Sequence, residues 1–252
     1  MEKLELNNIY NMDCLEGMRM LEDDSIDVIV TDPPYAVGFS KGFDDSKEHV
    51  SSCMNDWLKE MYRVLKPGCH CYIFIPTKEA PMWLTAISNI FELNNILSTR
   101  TYTSSVYLKN NFQFNSQLVA YCSKGTAKRL NAVDFIKTSQ SWLKDKRNKN
   151  PKEYTYSYPS FIQECFSNTK VCKNQEDRHP CEKNSELLEF FIKLSTDEDG
   201  VVLEPFVGGG STIIAALNAG RKYIGFELSE EYFKVANRNI NKKKVEIKKK
   251  HQ

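Results

Sequence analysis

The chain has 252 residues, 41% apolar and 12% aromatic, enough for one large α/β domain or a domain carrying an inserted lobe. Its formal net charge of +1 means that the molecule as a whole does not advertise a polyanionic partner. No stretch reaches the roughly 18 apolar residues that span a bilayer, and the opening MEKLELNNIY lacks the basic-then-apolar layout of an export signal.

In chain order, a short strand is expected from Asn8 to Asp13, ending on an acid, then a helix from Cys14 to Leu21. Asp27 to Thr31 is a continuous apolar run, as in a strand covered by helices on both faces. It stops abruptly on Asp32-Pro33-Pro34-Tyr35. A polar, glycine-punctuated loop follows, about Ala36 to Lys47, a length typical of lids and binding loops. Met54, Trp57, Leu58, Met61 and Leu65 recur at helical spacing until Lys66-Pro67-Gly68 ends the helix. Cys71 to Ile75 reads as a buried strand. A helix from Ala80 to Asn89 and strands near Ile96–Leu108 and Gln117–Cys122 come next.

Between Lys124 and Lys152 the character changes. Nine basic residues face only Asp134 and Asp145, a net +7, and Tyr154, Tyr156, Tyr158 and Phe161 follow. This composition suits a surface that tracks phosphates and stacks on bases, so 124–176 is expected to be a recognition insert. Its alternative is a solvated charged loop. The α/β pattern resumes with a helix near Ser185–Leu194, a strand Val201–Phe206, a helix Ser211–Ala219 and a strand Lys222–Leu228. The units are therefore 1–123, the insert 124–176, a second half 177–240, and a basic tail 241–252 that reads as solvated or frayed. Strands alternating with helices indicate a doubly wound, mostly parallel sheet.

The eight cysteines (14, 53, 69, 71, 122, 165, 172 and 181) read as reduced thiols in a cytosolic protein. Cys172, His179 and Cys181 fit no paired C-x-x-C spacing, so no metal site is expected.

The stretch VVLEPFVGGGSTIIAALNAGRKYIGFEL runs strand, glycines, helix, strand and acid. Glycines there let the backbone turn sharply beside a ligand, and the following helix N-terminus favours an anionic group. Glu227, about 20 residues on, stands where Rossmann-like folds bind ribose hydroxyls. The spacing is not G-x-G-x-x-G. It suits a small zwitterion with an attached nucleoside better than a dinucleotide, which points toward S-adenosylmethionine (SAM) without deciding it.

Asp32-Pro33-Pro34-Tyr35 followed by Phe206-x-Gly208-x-Gly210 resembles the amino-group DNA methyltransferases in their beta arrangement, over nearly the whole chain. NMDCLEGM (Asn11 to Met18), RVLKPG (Arg63 to Gly68), VYLKNNFQFNSQLVAYCSKG (Val106 to Gly125), HPCEKN (His179 to Asn184) and GFELSEEYFKVANRNI resemble further family segments in family order. Three positions depart from the pattern: Glu204 stands where Asp is usual, Gly209 where Ser is, and Asn184 where Pro is. The resemblance implies a circularly permuted Rossmann-like fold. It also implies SAM contacts at Asp13, Cys14, Asp32, His179, Lys183, Glu204, Phe206, Gly208, Gly210, Ser211, Thr212 and Glu227. Asp13 would meet the adenine amino group and Glu227 the ribose.

The tetrapeptide has a chemical logic. An exocyclic base amine is a poor nucleophile because its lone pair is delocalised into the ring. The Asp32 carboxylate and the Pro33 carbonyl, held by locked φ angles, would accept the amine protons and free that pair. Tyr35 would stack on a base flipped from the duplex. Catalysis is then mainly in-line positioning, with no covalent cysteine step. Phe39 and Phe43 would wedge the duplex or pack under the lid, and Arg129, Lys144, Arg147 and Lys149 would contact DNA, the arginines as guanine readers.

The expected activity is N6-adenine methylation of double-stranded DNA, since DPPY accompanies adenine more often than cytosine in the family. N4-cytosine is the alternative. RNA or protein-glutamine methylation, a catalytically idle DNA-binding relative and a nicotinamide enzyme rank lower. A restriction endonuclease partner, a monomer or homodimer, and a bacterial, archaeal or phage cytosolic setting complete the expectations.

Overall fold

In the computed structural model, the described residues are 4–35, 44, 46–100, 116–131, 143–144, 156–157, 161–162, 183 and 185–250. The first half contains β1 (Asn8–Tyr10), α1 (Cys14–Arg19), β2 (Ile26–Thr31), α2 (Lys47–Val64), β3 (Leu65–Ile75), α3 (Ala80–Ser88), β4 (Glu92–Arg100) and β5 (Ser116–Ser123). Three two-residue strands follow, β6 (Leu143–Lys144), β7 (Tyr156–Ser157) and β8 (Phe161–Ile162). The chain then forms α4 (Ser185–Ser195), β9 (Val201–Glu204), α5 (Ser211–Asn218), β10 (Lys222–Phe226) and α6 (Glu230–Lys250).

One sheet runs in the order β1-β10-β9-β2-β3-β5-β4-β8. It is parallel from β1 through β3, and β5 is antiparallel to both its neighbours. Period-2 alternation explains the layering. Val28, Val30, Tyr72 and Phe74 face a core made with α4, α5 and α6. Ile29, Cys71, Ile73 and Ile75 face the opposite core, made with α1, α2 and α3. Helices therefore cover both faces, and the doubly wound architecture expected from the alternating pattern is the one found.

Register places the site. Tyr10 pairs with Phe226, Gly225 with Glu204, and Thr31 with Ile73, so the C-terminal ends of five strands share one sheet edge. β2 and β9, far apart in sequence, are neighbours there, at the point where strand order reverses. α1 is pulled close to β10 at Gly17, where an added Cβ would fall 2.3 Å from Phe226 Cε1. Because the Phe226 ring is fully buried, Gly17→Ala is expected to cost about 1–3 kcal/mol in urea unfolding.

Strands β1, β9 and β10 end two or three residues earlier than expected, and three other boundaries also differ. Lys66-Pro67-Gly68 does not precede a strand at Cys71; β3 starts at Leu65, and the shift in its pairing with β2 lies across these residues. The 123/124 boundary falls inside packed structure. Gly68 N–H donates to Lys124 O, Lys128 N–H to Gly68 O and Asn131 N–H to Leu194 O, while Lys124 pairs with Asp24 at 2.6 Å. The 240/241 boundary falls inside α6, which continues to Lys250. The Lys244 ammonium lies over the Tyr223 ring, at 5.5 Å, and Lys243 reaches Glu246, so part of the basic run is engaged by a ring and an acid.

Candidate active site

β2 delivers Asp32-Pro33-Pro34-Tyr35 to the shared edge, with Pro33 buried and the other three half-buried. The Tyr35 hydroxyl donates to Asp32 Oδ1 and in turn accepts from Gln117 Nε2. Lys183 Nζ stands 2.6 Å from the other carboxylate oxygen, Oδ2. The same ammonium lies 5.2 Å from the Tyr35 ring centroid and 5.4 Å from that of Phe74. Asp32 is thus held on one side by a tyrosine–glutamine chain and on the other by a cation.

β9 delivers the glycine run. Gly208 and Gly210 adopt φ of 52° and 91°, and Gly210 serves as N-cap of α5. Gly208 N–H donates to Glu227 Oε2 at 2.7 Å, and Ser229 N–H to Oε1 at 2.8 Å. Asn239 of α6 holds Gly209 O at 3.0 Å. Burial raises the Glu227 carboxyl above its usual range against these two backbone donors. Phe206 meets Trp57 edge to face, with ring centroids 5.1 Å apart. At φ 91°, a β-branched residue is strained, so Gly210→Val is expected to weaken cofactor binding at least about tenfold by calorimetry.

Glu204 takes a different part from the cofactor contact expected of it. Its longer arm turns inward: Thr31 Oγ1 donates to Oε1 at 2.6 Å, Thr212 Oγ1 to Oε2 at 2.7 Å, and Phe206 N–H to Oε1 at 3.0 Å. With 2% of its surface exposed, it acts as a strut between the tips of β2 and β9. Desolvation pushes its pKa to about 8, with the three donors opposing and the nearby Asp32 charge adding to the rise. Thr31 precedes Asp32 and Phe206 opens the glycine run, so the strut links the two halves directly.

Asp13 caps α1, its Oδ1 accepting from Leu15 N–H at 2.8 Å and Glu16 N–H at 3.3 Å. The Cys14 thiol behind it is buried, and burial pushes its pKa well up, so it behaves as packing. Asn11 Nδ2 donates to Glu227 O and Leu228 O, tying the β1 tip to the β10 tip. Ser211 and Thr212 open α5, Thr212 being committed to Glu204.

The nucleic-acid candidates fare unevenly. Arg129 is not brought to the site. It lines a hollow of about 280 Å³ with Asp27 and Gly200, at the starts of β2 and β9, on the opposite sheet edge from Asp32. Backbone pairing of Lys128 and Asn131 with the core pins it there. Lys144 lies in β6, opposite Tyr156 of β7. Phe39, Phe43, Arg147, Lys149 and His179 lie outside the described residues. Gln117, Thr31, Asn11, Trp57 and Asn239 were not anticipated. Gln117 reads as ordinary strand alternation, and only its place opposite Tyr35 reveals its use. Among the described residues, no cluster could hold a metal ion, and no helix is long and apolar enough to cross a membrane.

A family model described as DNA methylase, for N6 and N4 amino methyltransferases, matches residues 26–238. The chain belongs to this DNA methylase family. The methylase is 28% identical over 248 residues to the DNA adenine methyltransferase YhdJ of Escherichia coli K12, covering 94% of this chain and 83% of that one. Among solved structures it is similar to the PvuII DNA methyltransferase, titled cytosine-N4-specific. The TM-score is 0.71 at 19% identity, over 93% of this chain and 86% of that one. It is also similar to an M1.HpyAVI–SAM complex, with a TM-score of 0.60 at 21% identity over 92% and 98% of the two chains. At these identities the two structures speak for the fold. The donor set of this methylase suits a nucleoside bearing an amino-acid arm: a glycine turn of positive φ, a helix N-terminus, and the Glu227 carboxylate at the neighbouring strand tip.

Proposed function

We propose that this methylase transfers the methyl group of SAM to the N6 amino group of adenine in double-stranded DNA. The observation that supports this reading is the Thr31–Glu204–Phe206 strut, which ties the residue before Asp32 to the residue that opens the glycine run. Glu227, Phe206, Gly208, Gly210, Ser211 and the free oxygen of Asp13 would hold the cofactor. When bound, SAM supplies a methyl group already activated on a sulfonium. Asp32 would accept a hydrogen bond from the amine, drawing density onto nitrogen as it attacks, with the Pro33 carbonyl as second acceptor. The Tyr35 ring would stack on the extruded base, whose removal from the duplex costs a few kcal/mol of stacking.

The naming of YhdJ as an adenine enzyme, together with the intact DPPY, supports adenine. The family model spans N4 as well as N6 enzymes, so N4-cytosine is the second reading. Incubation with methyl-labelled SAM and duplex DNA, RNA or protein, followed by nucleoside analysis, tests both. N6-methyladenine from duplex DNA is the expected product. N4-methylcytosine would replace adenine by cytosine, and label only in RNA or protein would overturn the DNA reading.

A further inference from the structure

Asp32 enters any amino-group chemistry through two carboxylate oxygens, and in this structure both are engaged. Oδ1 accepts from the Tyr35 hydroxyl, which Gln117 holds from behind. That contact belongs to the site's own framework. Oδ2 is taken by Lys183 Nζ at 2.6 Å, in a pair whose side chains keep only 15% and 21% of their surface exposed. The ammonium does more than neutralise a charge. It lies over the Tyr35 ring at 5.2 Å, within the range of a cation–π contact, and over Phe74 at 5.4 Å.

An extruded base needs the same two features together, an acceptor oxygen of Asp32 for its amine and the Tyr35 face for its ring. A nitrogen donor already sits on that oxygen and over that ring. We propose that Lys183 is a placeholder for the target amine: it fills the amine's hydrogen-bonding position, and base entry requires it to leave. This rests on the function proposed above. The arrangement has a physical reason. Without substrate, a half-buried carboxylate facing an aromatic pocket would be left partly unpaired, at a desolvation cost. The lysine keeps it paired. A mobile four-carbon stem lets the ammonium withdraw when a better-shaped donor arrives, which a bidentate arginine would do less readily.

The test uses the full chain and a duplex whose target sequence comes from mapping bases methylated by the wild-type protein. 2-Aminopurine beside the target base, which keeps its own amine, reports extrusion by its fluorescence. Lys183→Met removes the competing donor at similar length and is expected to raise the fluorescence of the saturated complex, by up to about fivefold for an ion pair of this exposure. Lys183→Arg, which keeps the charge and adds a second donor, is expected to hold it at or below the wild-type value. If Lys183 merely props Asp32 in place, Lys183→Met gives equal or lower fluorescence, and the placeholder role is overturned. Should Lys183→Met fail to fold, as judged by thermal melting, Lys183→Leu, which also lacks a donor, carries the same expected sign. Wild-type protein that labels no DNA would overturn the underlying function itself, an outcome distinct from a Lys183 variant that leaves extrusion unchanged.

Discussion

Asp32→Ala is expected to lower single-turnover methyl transfer by about 10²–10⁴-fold, the range for losing a positioned proton acceptor. Cofactor affinity, measured by calorimetry with the demethylated product, should stay within about threefold, under 1 kcal/mol. The split follows from the geometry. The cradle is built by Gly208, Gly210 and Glu227, and none of their hydrogen bonds passes through the Asp32 side chain. Alanine removes the acceptor for Tyr35 and leaves the Lys183 ammonium, 15% exposed, without its partner. The base is then offered a pocket with a cation where it needs an acceptor, so KM for DNA should rise together with the fall in kcat. Asp32→Asn keeps an acceptor oxygen and loses the charge, and belongs between alanine and wild type. Equal rates for wild type and Asp32→Ala would remove the tetrapeptide from the chemistry.

How much of this was legible from residues alone depends on distance along the chain. The strands ending at Thr31 and Glu204 are apolar runs with strong local punctuation, proline in one case and glycine in the other, so their existence reads directly, although the second was expected to reach Phe206. That their tips meet was an inference from family resemblance, and the strut that joins them was not visible. Nothing local to Glu204 says that its longer arm will fold back onto Thr31 and Thr212. Lys183 was expected at the cofactor, whereas its ammonium lies on Asp32 and the Tyr35 ring. Arg129 lies away from the site for the opposite reason. A charge count over 124–152 sums residues without regard to position, while backbone hydrogen bonds to Gly68 and Leu194 fix Lys128 and Asn131 to the far edge of the sheet. The lysine-rich end misled similarly, because α6 is anchored earlier, by Ala236 and Ile240 packed within 3.5 Å of where a Gly210 Cβ would stand. A helix so anchored carries its polar continuation with it.

The strut also gives the fold a pH dependence whose sign is fixed. The folded-state pKa of Glu204, about 8, lies above its ordinary 4.5, chiefly because burial penalises the charged form. Between those values the folded protein binds more protons at this site than the unfolded chain does, so stability falls as pH rises. The contribution is fully present below the unfolded pKa and is lost as pH climbs through about 8. Glu204→Gln mimics the protonated acid: its carbonyl can keep the Thr31 and Phe206 donors, and its amide can donate to Thr212, whose hydroxyl reverses role. Unfolding free energies measured across this window should therefore show the variant gaining on wild type by about 3–4 kcal/mol from pH 5 to 8.5. Parallel profiles would mean that Glu204 stays ionised in the fold and that its three donors outweigh its burial. Because the neutral acid predominates at pH 7 in this account, Glu204→Gln should also keep near-wild-type cofactor affinity there. Glu204→Ala, which strands two hydroxyls and the Phe206 N–H, should lose about 3 kcal/mol of stability at every pH below 7 and loosen the cradle with it.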